Sequence, residues 1–396
     1  MAITRCPACN SSDLTPFYEA PDAPVHSVLL MRTREEAIQY PRGAIRLAFC
    51  ERCGFITNQV FEPGLQEYST RYEETQGFSP TFSAFHRQLA QDLIDAHDLR
   101  GKDIVEIGCG KGEFLLLLCQ LGGNRGVGID PAYVPGRLPI PPDVEISFIQ
   151  ELYSEKHAHL PCDFLVCKMT LEHISDVAGF VGTVRRALDD RPHTTVFFQV
   201  PDMGRILDEV AFWDVYYEHC SYFTREPLRH LFESQGFEVL RVMTGYGDQY
   251  LMIEARPTGK ATEGASPSTD LHDLRCAVER FTSLAPKRIH RWRELIRTWG
   301  EQGERVILWG GGSKGVAFLT TLQLSDEIAC VVDINPHKHG TFMPGTGHEI
   351  IGPERLKELR PTVVVVMNPI YHAEIQADLA ALGLTPRLVD VTEVIE

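Results

Sequence analysis

Ile104-Val-Glu-Ile-Gly-Cys-Gly-Lys-Gly-Glu-Phe114 is the stretch that decides the fold of this chain. Apolar residues lead into Glu106, glycines follow at 108, 110 and 112, and an apolar run from Phe114 to Leu118 comes next. That order describes a strand, a tight turn and the start of a helix. Glycine is needed where the backbone turns sharply and lies against a ligand with no Cβ between them. The spacing is not the dinucleotide fingerprint, which places two residues between its second and third glycines.

Working outward, Gly126-Val-Gly-Ile-Asp130 forms a second strand ending in an acid, 18 residues beyond Gly112. Acids at this place commonly accept hydrogen bonds from ribose hydroxyls. A third strand is expected over Val144–Phe148, followed by Gln150 and Glu151. A fourth, Cys162–Cys167, runs into Met169-Thr-Leu-Glu-His173. Strands alternating with helical stretches predict an α/β fold, a doubly wound parallel sheet with its ligand at the carboxyl ends of the strands. An acid followed by G-x-G-x-G resembles motif I of the class I S-adenosylmethionine-dependent methyltransferases. The resemblance implies that Glu106, Gly108, Gly110 and Gly112 hold the methionine part of S-adenosyl-L-methionine, with Glu106 on its amino group. It also implies Asp130 on the ribose and Gln150 and Glu151 near the adenine.

The chain has 396 residues, enough for two or three domains, with ordinary hydrophobic (43%) and charged (23%) contents for a soluble protein. Its formal net charge of −16 argues against broad nucleic-acid binding, which needs a basic surface. A phosphorylated substrate would have to be held by local Arg, Lys and helix N-termini. No apolar run reaches membrane-spanning length and no signal-peptide core opens the sequence, so a cytoplasmic protein is expected. In that reducing setting, the eleven cysteines are metal ligands or core residues rather than disulfides.

Four of them are paired. Cys6-Pro-Ala-Cys9 and Cys50-Glu-Arg-Cys53-Gly54 are two C-x-x-C knuckles, 40 residues apart. Each knuckle turns two thiolates toward one ion, and two complete a tetrahedral structural Zn2+ site. A segment of about 60 residues with little core of its own is where a structural metal adds most to folding. The expected partition is a zinc-binding part, 1–75, a methyltransferase part, 76–258, and a third part, 271–396. An amphipathic helix is expected over 80–100, a linker over Pro257–Asp270, and a long helix over about 271–300. The third part carries Trp309-Gly-Gly-Gly-Ser-Lys-Gly315, where Gly310, Gly312 and Gly315 fit G-x-G-x-x-G, and Asp333 closes the strand Ile328–Val332. With a further strand at Val363–Met367, this is a second Rossmann-like sheet, whose glycine loop either binds phosphates or packs a helix closely on a strand.

One cluster remains, Asp214-Val-Tyr-Tyr-Glu-His-Cys-Ser-Tyr-Phe223, ahead of a helix at Leu228–Gln235. Such a density of titratable and hydroxyl groups on an expected loop points to chemistry more than to packing. The cysteine knuckles, the methyltransferase core, Tyr-x-Glu-His-x-x-Tyr-Phe and the second Rossmann-like part, taken in this order, resemble the sugar C-methyltransferases of deoxysugar biosynthesis. The resemblance covers nearly the whole chain. It implies a small-molecule acceptor, a nucleotide-linked keto sugar, and places the catalytic residues at Tyr216, Glu218, His219 and His173. His219 would remove a proton from the carbon beside the ketone, since its ordinary pKa lies near neutrality. Tyr216 would hold or deliver that proton, Glu218 orient the pair, and His173 hydrogen-bond the enolate oxygen. Tyr72, Phe78, Tyr222, Gly312, Ser313 and Lys314 are the expected substrate contacts.

The chain departs from the family in two places. Tyr217 stands where many members have His, and Tyr72-Glu73-Glu74 replaces an aromatic pair with an acid, which would favour an amino or hydroxyl-rich acceptor. The competing readings are a methyltransferase acting on oxygen, nitrogen or a non-sugar carbon acid, and a non-catalytic donor-binding scaffold.

Overall fold

Three β-sheets organise the chain, and a computed structural model describes residues 3–66, 69–258 and 271–393 of it. The N-terminal part contains β1 (Leu14–Pro24), α1 (Arg34–Gln39), β2 (Arg42–Cys50) and β3 (Ile56–Asn58). These strands pair antiparallel in sequence order. A fourth strand, Ser221–Tyr222, joins from far along the chain, with Ile56 opposite Tyr222 and Thr57 opposite Ser221. In β2 the alternation of Ile45, Leu47 and Phe49 puts one face inward. That face shares an apolar cluster with Phe212, Trp213, Phe281, Trp292 and Phe318. This sheet forms one wall of a core common to all three parts.

The central part follows the expected alternation. It runs α2 (Pro80–His97), β4 (Asp103–Ile107), α3 (Glu113–Gly122), β5 (Arg125–Ile129), β6 (Ile146–Ile149), β7 (Phe164–Lys168), α4 (Val177–Ala187), β8 (Thr195–Pro201) and α5 (Met203–Asp208). It continues through the borrowed strand β9 (Ser221–Tyr222), α6 (Arg225–Ser234), β10 (Phe237–Gly245) and β11 (Tyr250–Pro257). The start of α2 is fixed locally, with Pro80 in its first turn and the Ser79 hydroxyl accepting the Phe82 N–H. The sheet order is β10-β11-β8-β7-β4-β5-β6, with β11 antiparallel to both of its neighbours and the other pairings parallel. The chain winds outward from β4 through β5 to β6, then returns to lay β7 on the other side of β4. The gap between the ends of β4 and β7 is therefore the topological switch point, where doubly wound sheets bind ligands.

The C-terminal part opens with α7 (His272–Glu301), whose Phe281, Trp292 and Trp299 are buried. Next come β12 (Val306–Trp309), α8 (Ser313–Leu322), β13 (Val331–Val332), β14 (Thr341–Phe342) and β15 (Glu349–Ile351). It closes with α9 (Leu356–Leu359), β16 (Val363–Val366), α10 (His372–Ala381) and β17 (Arg387–Asp390). The order β14-β15-β13-β12-β16-β17 is a second doubly wound sheet, its strand after the glycine loop shorter than expected. Most of the expected linker, residues 259–270, lies outside the described residues. No helix among the described residues is long and apolar enough to cross a membrane.

Candidate active site

The carboxyl ends of both doubly wound sheets open onto one cavity of about 610 Å3. Gly108–Gly110 and Asp130 line one side, Gly310, Gly312, Ser313 and Lys314 the other, and His173, Tyr216 and His219 lie on its wall.

The first glycine loop has the backbone its sequence requires. Gly108, Gly110 and Gly112 have φ of 67°, 54° and 87°, values that side chains with a Cβ adopt only under strain. Asp130 accepts the Gly110 N–H at 2.8 Å and the Ala132 N–H at 2.7 Å, so the second-strand acid also fixes the loop. Glu106 is buried beneath the loop, its Oε2 without a hydrogen-bond partner, and burial pushes its carboxyl up to about 8. Lys168, at the end of β7, is buried nearby and pushed down to about 7 by desolvation. Its Nζ lies 2.9 Å from His86 Nε2 and 3.6 Å from the centre of the Phe114 ring.

On the other wall His219 stacks against Tyr216 with ring centres 4.2 Å apart. It meets His173 edge-on at 4.9 Å. Desolvation holds the His219 pKa well below its ordinary value and lowers that of His173, so both imidazoles are neutral near pH 7. Burial drives the Tyr216 phenol well above its usual range, so it keeps its proton. Glu172 Oε1 lies 4.0 Å from His219 Nε2. Neither Glu172 oxygen has a hydrogen-bond partner, and desolvation raises its pKa to about 8.

A carboxyl raised in this way holds a proton in the folded state that the unfolded chain releases near 4.5. Its contribution to stability is full below about 4.5 and is lost as pH rises toward 8. Glu172→Gln is expected to reduce the fall in melting temperature between pH 5 and pH 8.5. Parallel pH–melting curves for the two proteins would contradict that assignment.

Several expected contacts fall elsewhere. Glu218 does not reach Tyr216 or His219 through its carboxylate. Its Oε1 meets His26 Nδ1 at 3.1 Å, and its Oε2 accepts the Ser27 N–H at 2.9 Å and the Ser27 hydroxyl. The Ser27 hydroxyl lies 2.7 Å from that of Ser313, so Glu218 ties the N-terminal part to the second glycine loop. Tyr222 lies behind the cavity wall, because β9 pairs with β3 and turns this side chain into the shared core, 3.4 Å from the Tyr216 carbonyl. Tyr217 also points away, packing on Phe61 and accepting the Glu62 N–H at 2.9 Å. The departure from His at 217 thus falls outside the cavity. Gly112 starts α3, where a Cβ would collide with the Phe148 ring, and it does not line the cavity. Gln150 and Glu151 are exposed and off the wall, Glu151 pairing with Lys156, while Leu152 takes the lining position.

Tyr72 and Phe78 do line the cavity. Glu74, aligned with a lost aromatic substrate contact, belongs to the glycine-loop side, 3.3 Å from Lys111 Nζ and against Gly110. In the second glycine loop Asp333 accepts the Gly311 N–H at 3.0 Å, repeating the Asp130–Gly110 bond, but Lys338 also meets its Oδ2 at 3.1 Å. Lys314 pairs with Asp214 at 2.6 Å. Lys168, His86 and Glu172 carry no motif that singles them out in sequence, although Glu172 directly precedes His173.

Cys6, Cys9, Cys50 and Cys53 form a separate cluster, with Sγ–Sγ distances of 3.6 Å for Cys6–Cys53 and for Cys9–Cys50. All four sulfurs lie within 4.8 Å of one another. Zn–S bonds of about 2.3 Å at tetrahedral angles require sulfurs about 3.8 Å apart, so the donor set fits that ion. The knuckles are built alike, Asn10 N–H on the Cys6 carbonyl and Gly54 N–H on that of Cys50, with φ of 61° at Asn10 and 75° at Gly54.

A methyltransferase domain model matches residues 82–242, and a C-methyltransferase C-terminal domain model matches 269–384. The chain is 26% identical over 400 residues to the C-methyltransferase NovU of Streptomyces niveus, covering 94% of this chain and 91% of that protein. Among solved structures, the 1,6-didemethyltoxoflavin-N1-methyltransferase of Burkholderia thailandensis is 16% identical, covering 45% of this chain and 81% of that one, with a TM-score of 0.35. The magnesium protoporphyrin IX methyltransferase of Synechocystis PCC 6803 is 15% identical, covering 47% and 90%, also with a TM-score of 0.35. The protein is an S-adenosylmethionine-dependent methyltransferase with the class I fold. Within that class, the match to a C-methyltransferase C-terminal domain model and the similarity to NovU along most of its length support a C-methyltransferase.

Gly108 supplies a direct check on the donor loop. A methyl group at this positive-φ position would collide with the Thr170 side chain. Backbone strain of about 1–3 kcal/mol adds to the clash. Gly108→Ala is expected to weaken S-adenosylhomocysteine binding by about ten-fold or more in calorimetric titration.

Proposed function

We propose that this enzyme methylates a carbon beside the ketone of a nucleotide-linked sugar. The observation that carries the reading is that His219, Tyr216 and His173 share one cavity with the donor loop. When bound, the donor supplies an electrophilic sulfonium methyl group. A carbon bearing only hydrogen is not nucleophilic, so the protein must first take a proton from it. His219 suits that task, because burial leaves its imidazole neutral and able to accept. Tyr216, which keeps its phenolic proton, suits hydrogen bonding to the acceptor rather than deprotonation. His173 suits the enolate oxygen as a neutral donor. Glu218 acts at a distance from the reacting atoms, holding His26 and Ser27 against the cavity wall.

The nucleotide-linked acceptor is supported by the wall opposite the donor loop. There Gly312, Ser313 and Lys314 bring the N-terminus of α8 to the cavity, a place suited to phosphate oxygens. The cysteine cluster is assigned to structural Zn2+ on its geometry. The test is a mass-spectrometric screen of nucleotide-linked keto sugars for a one-methyl gain, with the product position read by NMR. Methyl on oxygen or nitrogen, or transfer only to non-sugar carbon acids, would overturn the proposal.

A further inference from the structure

A second group of ligand-type side chains, different in donor chemistry from the cysteine cluster, lies on the cavity wall. Glu172 and His173 belong to a helical turn, Leu171–His173, that follows β7. His219 comes from the segment leading into β9. The backbone fastens these two segments to each other. The Cys220 N–H donates to the Glu172 carbonyl at 3.0 Å, and the Ser221 hydroxyl donates to the Ile174 carbonyl at 2.7 Å. One ligand atom from each side chain, a carboxylate oxygen and two ring nitrogens, lies within 4.8 Å of the others. Glu172 is 1% exposed, and neither of its carboxylate oxygens has a hydrogen-bond partner. All three residues line the cavity, so a small ligand entering it can reach them.

Two imidazoles and one carboxylate are a donor set of open zinc sites, in which the remaining position is left to water or substrate. Bonds of about 2.0–2.1 Å at tetrahedral angles bring such donors about 3.4 Å apart. Glu172 Oε1 and His219 Nε2 are 4.0 Å apart, and the His173 and His219 rings meet at 85°. Closing the set therefore takes shifts of about 1 Å, small side-chain rotations on a backbone already held together. A cation would also give the buried Glu172 carboxylate the partner its oxygens lack. We propose that Glu172, His173 and His219 bind a divalent transition-metal ion of the zinc class, and that this ion and catalysis exclude one another. A neutral imidazole has a single nitrogen lone pair, so a metal-bound His219 has none left to take a proton. The exclusion rests on the proposed role of His219 as base; the metal site itself does not.

The test starts from enzyme carrying one Zn2+ per chain on its cysteines, checked by atomic absorption. Calorimetric titration of wild type with Zn2+ should show one further equivalent bound per chain. Glu172→Gln and His173→Asn should bind that equivalent at least about ten-fold more weakly, the loss that removing even an outer-shell partner brings. The cysteine-bound ion should stay in place in both variants. No further equivalent in wild type, or one that both variants bind as wild type does, would overturn the site. Added Zn2+ should also suppress deuterium exchange at the carbon beside the ketone of an accepted sugar. Full exchange with the second equivalent bound would overturn the exclusion. Wild type that exchanges no hydrogen even without added metal would overturn the role of His219 as base, while the titration still decides the metal site. Glu172→Gln is close to isosteric, so the comparison survives if His173→Asn does not fold.

Discussion

Replacing His219 with alanine is expected to abolish methyl transfer while leaving the donor site intact. A general base contributes roughly 10²–10⁴-fold to such reactions, and burial of His219 beside Tyr216 and Glu172 leaves water little access to replace it. The variant should bind S-adenosylhomocysteine as the wild type does, because Gly108, Gly110 and Asp130 are untouched. The decisive measurement is deuterium uptake from D2O at the carbon beside the ketone of an accepted sugar, with no donor present. Wild type should exchange that hydrogen and His219→Ala should not. Exchange surviving in the variant would move the base to another residue. Methyl transfer without any exchange in wild type would count against an enolate route.

The second large effect is expected at the cysteine cluster, far from the chemistry. Structural Zn2+ contributes on the order of 10 kcal/mol to the folding of small cysteine sites, so Cys50→Ser should lose metal and melt at markedly lower temperature. The damage should reach the active site by a definite route. Cys50 ends β2, β2 pairs with β3, and β3 pairs with β9, three residues past His219 at its far end. The Thr57 hydroxyl and the Asn58 N–H also bond the Cys220 carbonyl, at 3.1 and 2.9 Å. Methyl transfer should therefore fall with metal content measured by atomic absorption, while S-adenosylhomocysteine binding in the central sheet persists. A metal-free variant with full activity would sink both the structural role and this route.

What the sequence made legible is what short-range spacing encodes. The glycine turn after β4, the two cysteine knuckles and the second glycine loop are each held within a few residues, and each appears where its spacing placed it. Facing is another matter. Tyr217 and Tyr222 stand beside His219 in sequence but are turned into the core, because β9 pairs with a strand more than 160 residues earlier. Glu218 looked like a partner for His219, yet its carboxylate is captured by His26 and Ser27 from the N-terminal part. Lys168, His86 and Glu172 were invisible for the opposite reason. What sets them apart is their place on the cavity wall, which no residue pattern announces. The family analogy puts Gln150 and Glu151 at the cavity, but past the end of β6 the chain carries them outward and leaves Leu152 there.

The two loops that face each other across the cavity belong to different sheets. Glu73 bridges the two parts, accepting the Asn335 amide at 2.9 Å and an Arg137 N–H also at 2.9 Å. If the second loop holds the acceptor's phosphates as proposed, that contact and the first glycine loop rest on separate stretches of chain. On that reading, substitutions around 310–315 would reshape what enters the site while leaving the first glycine loop as it is, so related enzymes could diversify their substrates while keeping one chemistry.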